Sequence, residues 1–216
     1  MLNIGGQQPL IAGNIGTVSC TVAEKATKDQ VIVLEASSFQ LMGTETFRPH
    51  IAIWTNLYDA HLDYHGSSEA YAYAKSAITK NQTKEDYVIY NDDQPELRSY
   101  VLGSSAIKIP FSLTGMKEQG ISADDKQIYW NGKPYVKRSI IKLPGQHNLE
   151  NILAATAAAI LSGCDKTAIE DVLSSFTGVR HRMQFVKELH GRKFYNDSKA
   201  TNTLATKSAL AAFDAP

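Results

Sequence analysis

Short apolar runs recur along the chain at Leu10–Ala12, Val31–Leu34, Ile51–Trp54, Tyr87–Tyr90 and Ile107–Phe111, each about the length of a strand. Val31–Leu34 contains no polar residue, the pattern of a strand covered on both faces. Between these runs the apolar spacing lengthens to that of helices. SSEAYAYAKSAITKNQ opens on a capping serine and carries Glu69 in its first turn. DDQPELRSYVLG has acids and a proline at its start and stops at Gly103. Strands alternating with helices predict right-handed βαβ units and an α/β fold with a mainly parallel sheet.

The middle of the chain changes pattern. GISADDKQIYWNGKPYVKRSIIKL alternates apolar and polar residues in places and holds Asn131-Gly132, a strong hairpin signal. A small antiparallel excursion at a sheet edge is expected there. GQHNLENILAATAAAILSG then predicts a helix with Leu149, Ile152, Leu153, Ala157 and Ile160 on one face, ended by Gly163. DKTAIEDVLSSF predicts another, capped by Asp165, with Ile169, Val172 and Leu173 inward. MQFVKELHGRKFYNDSKATN reads as a hairpin turning at His190-Gly191, a loop, and a helix from about Asn202. A βα unit with no sheet to join cannot bury its apolar face. A domain boundary is therefore expected near residues 177–185, dividing 1–180 from 181–216, with the second domain cut short.

Composition narrows the class only slightly. Lys plus Arg and Asp plus Glu balance at 22 each, so net charge points to neither nucleic acid nor an anionic membrane as partner. Cys20 and Cys164 lie far apart in no metal-type spacing, which suits two inert, buried thiols in a reducing compartment. The first 30 residues lack a secretion-signal pattern, and the most apolar helix, around Ile152 to Leu161, is too short to span a bilayer. A soluble cytoplasmic protein is expected.

Polar residues gather just past the carboxyl ends of the expected strands, where open α/β sheets bind ligands. Asn14 and Gly16 follow the first strand, Glu35 the second, and Asn56, Asp59, His61 and Asp63 the third; Asp197 and Lys199 follow Phe194–Tyr195. Plainer readings stand beside each. Glu35 suits a solvated strand end, His61 a surface loop, Lys75 an exposed helix face, and Arg182 a linker charge. Asn148 and Asn151, one turn apart, suit a helix cap as well as a ligand. NDSKATN, with one acid and one base among small polar residues, fits a ligand loop better than a plain turn. The chain has no G-x-x-x-x-G-K-[ST] phosphate loop, no G-x-S-x-G elbow and no cysteine-pair zinc spacing. His61 and His65 make a His-x-x-x-His pair without the protease glutamate, in an expected loop where that spacing loses its meaning. Carboxylates, hydroxyls and a single well-placed histidine favour magnesium over zinc.

GNIG, LEASSFQL, TNLYDAHLDYH, YAKSAI, GQHNLEN, HRM and YNDSKATN stand in the order and approximate spacing of the bacterial Mur ligase family, which this chain resembles from about Leu10 to Asn202. LEASSFQL and NDSKATN are most similar to the members that add D-glutamate. The resemblance implies the mainly parallel sheet of a P-loop-type ATPase domain, entered after its phosphate loop, followed by the start of a Rossmann-like domain. It implies ATP-dependent amide formation in cytoplasmic peptidoglycan synthesis. ATP phosphorylates the carboxylate of UDP-N-acetylmuramoyl-L-alanine, and the amine of D-glutamate attacks the acyl phosphate. Such a site gathers phosphates and stabilises a phosphoryl group mainly by positioning and fixed opposite charge.

Carried over by resemblance, Glu35 and His61 are magnesium ligands, and Lys75 carries a carbamate that can join them. Asn14, Ser37 and Ser38 meet the UDP-muramoyl substrate. Asn148 and Asn151 lie by the adenine, Arg182 near the ATP phosphates, and Asp197 on the ribose. Lys199 and Thr201 reach the nucleotide and incoming substrates. NLYDAH departs from the acidic pair often seen before that histidine, leaving Asp59 as the only acid just ahead of it. With its phosphate-cradling lysine outside the sequence, the chain is expected to be inactive alone. The alternatives are a folylpolyglutamate synthase-like ligase and a non-catalytic sugar-nucleotide-binding domain.

Overall fold

The computed structural model describes residues 1–201 and 203–213. In chain order the elements are β1 (Leu10–Gly13), α1 (Ser19–Ala23), β2 (Ile32–Glu35), α2 (Ser38–Met42), β3 (Ile51–Trp54), α3 (Leu62–His65) and α4 (Ser68–Ser76). Then follow β4 (Tyr87–Asn91), α5 (Pro95–Leu102), β5 (Ile107–Ser112), β6 (Ile121–Ala123), β7 (Gln127–Trp130) and β8 (Lys133–Lys137). Last come α6 (Gln146–Leu161), α7 (Lys166–Ser175), β9 (Gln184–Leu189), β10 (Arg192–Asn196) and α8 (Thr203–Leu210).

Six strands form the main sheet in the order β3-β4-β5-β6-β7-β8. The first four run parallel and the last two antiparallel, so the expected excursion is the sheet's edge. Its turn is Asn131-Gly132, with φ of 50° and 73°, the left-handed pair that matches the twist of a hairpin. Helices cover both faces, and strand period 2 divides the core between them. Ile89, Ile109 and Phe111 meet Ile152, Leu153 and Ile169 on the side of α6 and α7. Val88 and Tyr90 meet Leu97 and Val101 of α5 on the other, with Ala52 and Trp54 of β3.

β1 and β2 form a separate two-stranded parallel sheet. Here the apolar run misled: Ile32 and Val33 are 41% and 46% exposed, because β2 pairs with β1 alone and not within the six-stranded layer. Cys20 also departs from expectation. It is exposed, since the short α1 turns Val22 inward instead; Cys164 is buried. Asp165 stands at the N-cap of α7, but its side chain makes no capping bond. Beyond α7 the chain runs irregularly over 176–183, where the boundary is expected, and β9 and β10 pair as a hairpin turning at His190-Gly191. The helix expected from about Asn202 begins at Thr203; Asn202 lies outside the described residues.

Candidate functional site

The parallel register of β1 and β2 sets Gly13 opposite Glu35. Immediately past it, the Asn14 backbone N–H donates to the Glu35 carbonyl at 2.9 Å, and Asn14 Nδ2 donates to Glu35 Oε1 at 2.9 Å. Gly13 makes this approach possible. Its φ is 103°, and a Cβ there would lie 2.2 Å from the Glu35 carbonyl oxygen.

After Glu35 the chain turns at once into α2 through a capping box. Ser37 Oγ accepts from the Gln40 backbone N–H at 3.3 Å, and Gln40 Oε1 accepts from the Ser37 N–H at 2.9 Å. α2 packs against α4 and carries two contacts toward the histidines. Ser38 is 4% exposed, with its Oγ 3.0 Å from His65 Nε2. The Phe39 ring stands 5.2 Å from His61 and 5.3 Å from His65, centroid to centroid. The two serines are thus engaged in the protein's own hydrogen bonds, one as a cap and one as an anchor.

DAHLDYH, expected as a loop, contains the single helical turn α3. His61 stands at its N-cap in the left-handed region, φ 55°, and its carbonyl accepts the His65 backbone N–H at 3.0 Å. Phe39 thus packs against both imidazoles, and His65 Nε2 is engaged by Ser38. His65 in turn stacks edge-on to Tyr71, whose hydroxyl accepts from Lys75 Nζ at 3.2 Å. Short contacts thus run from His61 through Phe39, His65 and Tyr71 to Lys75, while the side chain of Glu35, three residues before α2 begins, bonds to Asn14. Among the described residues no three His, Cys, Asp or Glu side chains gather as a ready metal cage.

A second group forms around the start of α6. Gly145 is the N-cap at φ 93°, and a Cβ there would meet His147 Cε1 at 2.9 Å and Ala212 at 3.0 Å. Asn148 Nδ2 donates back to the Pro144 carbonyl at 2.6 Å, while Asn151 is exposed on the following turn. Burial pushes the His147 imidazole down, partly offset by the negative charge of Asp197. Asp197 belongs to the segment after β10. There Asp197 Oδ1 accepts the Met183 N–H at 3.0 Å, and the Lys199 N–H donates to the His181 carbonyl at 3.1 Å. His181 and Met183 both have positive φ, 68° and 41°, conformations that persist when neighbours hold them from both sides. Arg182 is fixed between them, exposed, beside the Asp197 loop; Thr201 is exposed at that loop's end.

One constellation was not anticipated. Asp93, past the carboxyl end of β4, accepts from Ser112 Oγ at 2.6 Å, the Leu113 N–H at 2.7 Å and Thr114 Oγ1 at 2.5 Å. Burial raises its carboxyl, but these hydrogen bonds outweigh that and hold it below the usual range. Burial, with the charge of Asp93 nearby, pushes Glu150 of α6 up. The acids of YNDDQ, directly after an apolar run, were the available signal.

Residues 12–159 match the family described as Mur ligase middle domain. The chain is 54% identical over 213 residues to UDP-N-acetylmuramoylalanine--D-glutamate ligase of Geobacillus kaustophilus, covering 99% of this chain and 47% of that protein. The ligase of the same name from Shouchella clausii is 51% identical over 216 residues, 100% of this chain and 48% of the relative. The chain spans about half the length of the curated relatives it matches. Among solved structures, MurF of Thermotoga maritima in complex with ADP superposes with a TM-score of 0.67 at 18% identity, covering 97% of this chain and 58% of that one. MurC of Thermotoga maritima gives 0.64 at 21%, covering 98% and 55%. At such identities the likeness concerns the fold, and the mainly parallel sheet with its antiparallel edge agrees with it. The match over residues 12–159 to the middle domain and the identity along the whole length place this chain in the Mur ligase family.

Proposed function

We propose that the protein carrying this chain is an ATP-dependent ligase joining D-glutamate to UDP-N-acetylmuramoyl-L-alanine in cytoplasmic peptidoglycan precursor synthesis. The observation that carries the reading is the 54% identity, across 99% of the chain, to a relative named for that reaction. The activity is assigned to the whole protein, because residues 1–216 hold no phosphate-loop lysine motif. Residues 1–180 serve as the central ATP-binding domain and 181–216 open the carboxy-terminal one.

Glu35 is an exposed carboxylate, held in place by Asn14, and His61 is an exposed imidazole packed on Phe39 of α2, the helix that follows Glu35. Magnesium takes one or two carboxylates and keeps waters and substrate phosphates for its other positions, so this donor set fits it without a protein cage. When bound, the ion supplies charge neutralisation on the phosphates. Lys75 as an ammonium would repel it; as a carbamate it presents an anion instead. Asn14 uses its amide nitrogen on Glu35 and keeps its amide oxygen for the UDP-muramoyl substrate. Ser37 and Ser38 serve that pocket by fixing α2 directly after Glu35.

On the other side Asn148 and Asn151 lie by the adenine, Asp197 holds the ribose, and Arg182 neutralises phosphate charge. Lys199 and Thr201 reach the nucleotide and incoming substrates. Catalysis is positioning: the substrate carboxylate is phosphorylated, the D-glutamate amine attacks the acyl carbon, and phosphate leaves. The test is ADP release by the full-length protein across a panel of amino acids and acceptors. D-glutamate with UDP-N-acetylmuramoyl-L-alanine alone should turn over. Turnover with a folate acceptor would favour the folylpolyglutamate reading, and nucleotide-sugar binding without turnover the non-catalytic one.

A further inference from the structure

Tyr71 lies one helical turn before Lys75 on α4, the spacing at which side chains meet. Its ring is 8% exposed, and its hydroxyl accepts from Lys75 Nζ at 3.2 Å. The nitrogen also stands over the ring, 5.0 Å from its centre, so Lys75 meets both the hydroxyl and the ring face. His65 braces Tyr71, with centroids 5.3 Å apart and ring planes at 65°. Ser38, the buried first residue of α2, fixes His65 through the 3.0 Å contact to Nε2. Four side chains from α2, α3 and α4 thus form a continuous line that ends on the Lys75 nitrogen.

We infer that Tyr71 is the positioning residue for Lys75, and that His65 and Ser38 hold Tyr71 in place; this rests on the carbamate reading of Lys75 given above. In that step the neutral Lys75 nitrogen attacks the carbon of carbon dioxide. An N–C bond forms, one C–O π pair moves onto oxygen, and an N–H proton leaves to solvent. One N–H remains, and the Tyr71 oxygen can accept it in the carbamate as it does in the amine. The hydroxyl therefore limits rotation about the terminal C–N bond through the step and sets where the carbamate oxygens turn. A tyrosine serving only the core would need its ring and not its hydroxyl.

The test is Tyr71→Phe in the full-length protein, followed by 13C NMR with labelled bicarbonate and by steady-state kinetics. The carbamate signal should weaken at ambient bicarbonate and recover as bicarbonate is raised. kcat should fall about tenfold, equivalent to about 1.4 kcal/mol, with KM for ATP and D-glutamate within about twofold of wild type. Ser38→Ala should move the same readouts by a smaller factor, about threefold. If Tyr71→Phe also lowers the melting temperature, the bicarbonate response decides: recovery supports the inference and its absence overturns it. Wild-type kcat and signal in Tyr71→Phe overturn it while leaving the role of Lys75 intact. A wild-type protein without carbamate signal, in which Lys75→Ala is fully active, removes the reading of Lys75 and this inference with it.

Discussion

Asn14 and Glu35 are joined twice, by the Asn14 backbone N–H to the Glu35 carbonyl and by Asn14 Nδ2 to Glu35 Oε1, both at 2.9 Å. The double link sets the carboxylate at the carboxyl end of a parallel strand pair, the edge where α/β sheets bind ligands. Glu35→Gln keeps an oxygen for Asn14 and removes only charge. In the full-length protein it should cut D-glutamate-dependent ADP release by roughly 10²–10³-fold with the melting temperature unchanged. Asn14→Ala should cost about tenfold in the same assay.

Gly13 tests the same junction through the backbone. At φ 103°, with a Cβ position 2.2 Å from the Glu35 carbonyl oxygen, Gly13→Ala is strained twice over. It should destabilise the protein by about 2 kcal/mol or more, read as a lower urea midpoint at unchanged slope.

Asp86 fastens the loop before β4 to the segment before β3. It is 2% exposed and accepts from Arg48 Nε at 2.6 Å and the Thr83 N–H at 2.8 Å, with His50 Nδ1 3.2 Å away. Burial raises its carboxyl, but the Arg48, Thr83 and His50 hydrogen bonds and the Arg48 charge together hold it far below its ordinary 3.8. A carboxylate depressed on folding contributes stability above its unfolded value and loses it as pH falls. Stability should therefore drop below about pH 4. Asp86→Asn should cost about 3 kcal/mol at neutral pH and flatten that acid decline, measured by denaturant melts across pH.

Lys75→Ala in the full-length protein should abolish turnover, and short carboxylic acids should partly restore it by supplying the missing anion. No rescue by any such acid would count against the carbamate while leaving the family assignment in place.

Much of this was legible in the residues. Asn131-Gly132 announced its hairpin because only a left-handed pair fits that turn, and Ser67 caps α4 as read, accepting the Ala70 N–H at 3.1 Å. Asn14 and Glu35 were each legible at a strand's carboxyl end, but their pairing was not, because the residues alone do not fix strand order. Burial of β2 did not follow. An apolar run reports what a strand can bury, not whether neighbours are there, and Ile32 and Val33 stand exposed. The role of Ser38 was hidden for another reason: its partner His65 is 27 residues away, and no local pattern encodes that contact. Tyr71 was missed although its i,i+4 spacing to Lys75 was in view, because an aromatic residue at that position reads first as core. Asp93 was passed over as a helix start.

The central claim is that Glu35 and His61 act on one phosphoryl site, and a double-mutant cycle on kcat tests it most directly. Glu35→Gln, His61→Ala and the double variant would be measured in the full-length protein with D-glutamate and UDP-N-acetylmuramoyl-L-alanine. Acting as a unit, the double variant should be no more than about threefold slower than the slower single. Losses that multiply in full would place the two residues at separate sites and contradict the account.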